Sequence, residues 1–152
     1  MSTVRPEVSV VHGNIVIDIP STWVDQSSLV FVAPVEASKA GPGPQIAESV
    51  TVRFGRLPKG GAAEVLALER KQQQQTDRGL KVIAEESIKT QLGPGHLAAW
   101  KTTPLDVALV RLAVAAAHGD AYVLAIATTT EAAFVGARGR LLDIIGSLRR
   151  RA

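Results

Sequence analysis

The sequence predicts an α+β fold, an antiparallel β-sheet of about six or seven strands with two main helices on one face. Two observations predict it: strand-like runs follow one another with tight turn signals, and a long helical pattern separates an early group of runs from a later one. A helix-start signal near the end of the chain then supplies the second helix. The order is strands, helix, four strands, helix, without the strict strand–helix alternation of a parallel sheet.

The first segment, "EVSVVHGNIVIDIP", reads as two strands, about 7–11 and 14–19, turning at His12-Gly13-Asn14. Ile15, Ile17 and Ile19 fall on one face of the second, and Pro20 ends it. Ser21 to Gln26 is a turn or one helical turn, and Leu29 to Val35 a third strand. "EASKAGPGPQ" (36–45) is a loop by composition. Ser49 to Phe54 alternates, with Val50, Val52 and Phe54 opposite Thr51 and Arg53. A turn then leads into a helix over Ala62 to Arg78, with Gly79 as its stop. The first half of that helix is apolar; the second, including Gln72 to Gln75, reads as a solvated surface. Lys81–Thr90, His96–Thr102, Val107–Ala117 and Ala121–Thr128 read as four strands, the last two joined by a hairpin at His118-Gly119-Asp120. Thr128-Thr129-Thr130-Glu131 resembles a capping box, opening a helix with Phe134, Leu141, Ile145 and Leu148 on one face.

The 152 residues make one domain spanning 1–152, with 46% apolar and only 4% aromatic residues. A formal charge of +3 is too weak to imply nucleic acid, and Arg149, Arg150 and Arg151 read as a solvated helix end. There is no cysteine, which excludes disulfides and thiolate metal sites. The start of the chain has no apolar run of the signal-peptide kind. The longest apolar candidate, Val107 to Ala117, is broken by Arg111 and too short to span a bilayer. The expectation is a cytoplasmic protein that neither binds nucleic acid nor inserts into a membrane.

Catalytic patterns are absent. His12, His96 and His118 lie far apart, each beside a glycine in an expected turn, and none has a second ligand at metal-binding spacing. Asp18 points away from the isoleucine face, and Asp25 reads as a turn cap. Ser27 and Ser28 lack a nucleophile-elbow context, and "GRLPKGG" (55–61) lacks the phosphate-loop order. The expectation is a protein that is not an enzyme and takes no cofactor or metal.

The last two strands raise a different question. Val110, Leu112, Val114 and Ala116 form one face of the first, while Leu109, Arg111, Ala113, Ala115 and Ala117 form the other. In the next, Tyr122, Leu124 and Ile126 oppose Val123, Ala125 and Ala127. If the bulkier faces meet both helices, a dry face of small residues is left over, unlike a solvated antiparallel sheet. That face has several possible uses: a groove for an apolar peptide or helix, closure of the sheet on itself or dimerisation through it, or a small-molecule pocket.

The stretch "IDIPSTWVDQSSLVF" (17–31) resembles the opening of the DcrB-like proteins of the wider PsbP-like fold, and among them the Eag-type chaperones of type VI secretion effectors. The matching residues are Ile19, Pro20, Trp23, Asp25, Gln26, Ser27 and Phe31; "YVLAIATTTEAAF" (122–134) and Leu57-Pro58-Lys59-Gly60 also fit. The resemblance implies a curved sheet, helices on its convex side, a homodimer, and a concave side that cradles the apolar N-terminal, transmembrane segment of an effector. Pro20, Trp23, Asp25 and Phe31 would then be structural anchors, with Leu29 and Phe31 turned into the core. The client would meet Ser28, Val30, Val32, Thr51, Arg53, Arg111, Ala113, Ala115, Val123 and Ala125. This chain departs from the family by placing Ala113 and Ala115 where members carry polar side chains, and by its long Gly-Pro loop. The alternative function is a structural subunit that uses the same face for assembly.

Overall fold

The computed structural model describes residues 7–12, 15–20, 28–32, 48–103 and 106–149, the first two segments as backbone only. Trp23, Asp25 and the Gly-Pro loop fall outside these residues. Strands β1 (Glu7–His12) and β2 (Ile15–Pro20) form an antiparallel hairpin of their own, in which Pro20 pairs with Glu7. Strands β3 (Ser28–Val32), β4 (Ser49–Arg56), β5 (Lys81–Thr90), β6 (Gly93–Thr102), β7 (Leu109–His118) and β8 (Ala121–Thr130) form a six-stranded antiparallel sheet in the order β3-β4-β8-β7-β6-β5. Helix α1 (Gly61–Thr76) links β4 to β5, and α2 (Glu131–Gly146) follows β8. The α+β class with an antiparallel sheet and two helices is therefore as the sequence predicts.

Local chemistry sets the boundaries. Gly119, at φ 60°, turns β7 into β8, and an L side chain is strained there. Helix α1 ends at Thr76, two residues before the expected Arg78, because Asp77 rather than Gly79 organises the exit. The Asp77 carboxylate accepts from Gly79 N at 2.9 Å and from Thr103 N at 2.6 Å. At the start of α2 the Thr130 hydroxyl accepts from Ala133 N at 3.2 Å, so Thr130 is the cap. Glu131 pairs with Lys101 instead of returning to the backbone as a capping box would.

The helices lie on opposite faces, which corrects the expectation of a single covered face. Ala62, Val65 and Leu66 of α1 pack with Ala98, Trp100, Ala113, Ala115, Leu124 and Ile126. Ala137, Leu141 and Ile145 of α2 pack with Val50, Val52, Leu97, Ala99, Leu112, Val114, Val123, Ala125 and Ala127. Neighbouring residues on each strand belong to different sets, as the two-residue period of a strand requires. The topology accounts for this. β4 and β5 run parallel with three strands between them, so α1 must cross one face of the sheet, leaving the other to α2.

Register explains why no alanine trough survives. Ala113 lies opposite Ile126 and Ala115 opposite Leu124, while Leu112 meets Ala127 and Val114 meets Ala125. The bulky faces of β7 and β8 thus point to opposite sides, and each large residue has a small partner across the ladder. Both layers fill evenly, and strands buried on two faces read as continuous apolar runs.

Candidate functional site

Two helices of 16 residues each cover the middle of the sheet, with α1 on β6, β7 and β8, and α2 on β7, β8 and the Val50 and Val52 face of β4. Strand β3, at the margin beyond β4, extends past them. Its antiparallel register pairs Ser28 with Arg53, Val30 with Thr51 and Val32 with Ser49, placing all six on the α1 side. Leu29 with Val52, and Phe31 with Val50, lie on the α2 side. Val30 is 61% exposed, Val32 62% and Phe31 57%. Three consecutive large apolar residues are therefore in water on both faces of one short strand.

Beside Phe31 a cleft of about 330 Å³ opens between β3, β4 and α2. Phe31, Val32, Val50, Leu141 and Ile144 give it an apolar lining, and Ile144 is itself exposed. Its polar lining comes from Ser49, Glu48 and Arg140; the last two form an ion pair with each other. The cleft can accept apolar side chains and presents no unpaired charge to them.

The structure divides the ten expected client contacts. Ser28, Val30, Val32, Thr51 and Arg53 do share one side of the β3–β4 ribbon. Arg53 is engaged there by Glu69 of α1 at 2.6 Å. Ala113, Ala115 and Ala125 are fully buried and Val123 nearly so, so none of these can touch a client in this fold. Nor do they share a face: Ala113 and Ala115 lie under α1, Val123 and Ala125 under α2. Arg111 is half-buried opposite Trp100. Phe31 is corrected from core anchor to exposed cleft wall, since α2 stops short of β3. Leu29 does pack against the α2-side core.

Other residues escaped the sequence reading. Among the described residues Trp100 is the largest fully buried side chain, and its indole N–H donates to Gln73 Oε1 at 2.7 Å. Gln73 Nε2 in turn donates to Glu69 Oε1 at 2.9 Å, and Glu69 holds Arg53. One glutamine of the polar run thus bridges the core to the ribbon, while Gln72, Gln74 and Gln75 remain exposed. His96 lies inside β6 rather than in a turn, its Nδ1 3.4 Å from Ser87 Oγ. Among the described residues no three His, Cys, Asp or Glu side chains converge as a metal site, and no helix is long and apolar enough to cross a membrane.

No family model and no curated protein matches the sequence. Solved structures do. Cyanobacterial PsbP (CyanoP) from Synechocystis sp. PCC 6803 aligns with a TM-score of 0.55 at 13% identity, over 87% of this chain and 84% of its own. The fold is PsbP-like. The PA94 protein of unknown function from Pseudomonas aeruginosa, described as a candidate regulator, gives a TM-score of 0.72 at 19% identity, over 96% of this chain and 98% of PA94. LpqN, involved in cell envelope biogenesis of Mycobacterium tuberculosis, gives 0.51 at 10% identity, over 94% and 88%. At such identities these likenesses speak to the PsbP-like fold alone.

Proposed function

We propose that this PsbP-like chain is a non-catalytic chaperone or adaptor that shields an apolar segment of a partner protein, and that the segment docks on the β3–β4 ribbon. One observation carries the reading: Val30, Phe31 and Val32 are exposed together beside an apolar cleft. Burying large apolar side chains contributes roughly 1.5–3 kcal/mol each before association costs, so three adjacent ones make a substantial anchor. The similarity of residues 17–31, which include most of β3, to the opening of Eag-type chaperones supports an effector's apolar N-terminal segment as client. The binding surface in this reading is the margin of the sheet, because α1 and α2 occupy its centre.

The test is co-expression with apolar N-terminal segments encoded by neighbouring reading frames, followed by size-exclusion chromatography with light scattering. Val30→Asp and Val32→Asp, both at exposed positions, are expected to fold like the parent and to lose the segment. Undiminished capture by both folded variants refutes the site. A homodimer that captures none of the segments, and that Val30→Asp splits into monomers, would assign the ribbon to self-association instead.

A further inference from the structure

β3 and β5 are the two edges of the sheet, and the sequence treats them differently. β5 carries Lys81, Glu85, Glu86 and Lys89, and its register with β6 slips between Val82 and Ala84. Charges and bulges are the devices that stop an edge from pairing with another strand. β3 reads Ser-Leu-Val-Phe-Val, with no charge, no proline and an unbroken register to β4. Among the described residues no strand pairs with its outer side.

We infer that the partner segment is held as an extended strand added to the outer edge of β3. This rests on the function proposed above and specifies the conformation of what is bound. A helix satisfies its own backbone groups and gains nothing from an open edge, whereas an extended segment supplies the N–H and C=O groups that the outer side of β3 is left facing. Side chains of an added strand alternate between the two faces of the sheet. One set falls beside Val30 and Val32, the other beside Phe31 at the mouth of the cleft. Both sets meet apolar surface, and the Glu48–Arg140 pair leaves no net charge at the cleft to answer. The segment is therefore uncharged along the length of β3 and apolar on both faces, with β-branched or aromatic residues favoured.

The probe is a fluorescently labelled nine-residue peptide of valine and isoleucine, apolar on both faces, between terminal lysines, titrated into the full chain. A companion set carries a single backbone N-methyl group at each position in turn. In a paired strand only alternate residues direct N–H towards the neighbour. Affinity is therefore expected to fall about tenfold at every second position and little between, as loss of one hydrogen bond implies. Val30→Asp is expected to abolish binding. A scan without a two-residue period overturns strand addition. So does equal binding of a stapled helical peptide of matched hydropathy, or failure of the valine-isoleucine peptide to bind at all. In those cases continued Val30-dependent capture of the partner segment leaves the chaperone reading standing; capture indifferent to Val30→Asp removes that reading as well.

Discussion

Ala113→Asp distinguishes a sheet sealed on both faces from one with an open alanine face. Ala113 has no exposed surface; it lies between Ala98 of β6 and Ile126 of β8, in the cluster closed by Val65 and Leu66 of α1. A carboxylate there loses its water among apolar neighbours, and its extra atoms overpack the layer. The cost is about 3–5 kcal/mol, a large share of the roughly 5–15 kcal/mol that stabilises an ordinary domain. For a chain of this size that lowers Tm by about 10 °C or more. Burial raises the folded-state pKa of the new group above its unfolded value of about 3.9, so the unfolded state gives up its proton first. The deficit relative to the parent therefore widens as pH rises through the unfolded pKa, and is larger at pH 7 than at pH 4. Thermal melts by circular dichroism at both pH values measure this. The same substitution at Val30, 61% exposed, is expected to shift stability by no more than about 0.5 kcal/mol. If Ala113→Asp melts like the parent at pH 7, α1 does not seal its face and the argument for a margin site fails.

Gln73→Leu leaves the buried Trp100 indole N–H unpaired and is expected to cost about 1–3 kcal/mol by urea unfolding, while Gln74→Leu, at an exposed position of the same run, stays within about 0.5 kcal/mol. Equal effects would show that the Gln73 bond contributes nothing. Gly139→Ala places a Cβ on an exposed turn of α2 where nothing lies within 4 Å, and is expected to stabilise the chain by about 0.5–1 kcal/mol in thermal melts. A loss of stability would mean that the outer face of α2 is packed against something.

Elements governed by local chemistry were legible in the sequence. The β7–β8 hairpin, the start of α2 and the alternation of β4 follow from turn residues, a capping hydroxyl and a two-residue period, and all three stand in the structure. The relation between neighbouring strands was not legible. Alternation separates the two faces of β7 and of β8, but only the register says that Leu112 joins Ala127 rather than Ile126. Aligning bulky with bulky made one false dry face out of two balanced ones. The candidate site inherited that error wherever it relied on β7 and β8, at Ala113, Ala115, Val123 and Ala125. Where it relied on β3 and β4 alone, Val30, Val32 and Thr51 do share a side. Trp100 was missed because its partner, Gln73, lies inside a polar run that composition alone assigns to solvent.

The two-faced apolar character of β7 and β8 had a physical reason: such a strand requires a layer on each side, and α1 and α2 supply them. β3 shows the same character in Leu29, Val30, Phe31 and Val32, yet the helices leave Val30, Phe31 and Val32 exposed. A strand apolar on both faces calls for a second layer here as it does at the centre of the sheet. Among the described residues none covers Val30, Phe31 and Val32, and β3 lacks the charges that make β5 safe as an edge. A partner laid along β3 would supply both the missing layer and the missing strand. Substitutions at the centre of the sheet should then act through stability, and substitutions on β3 through binding.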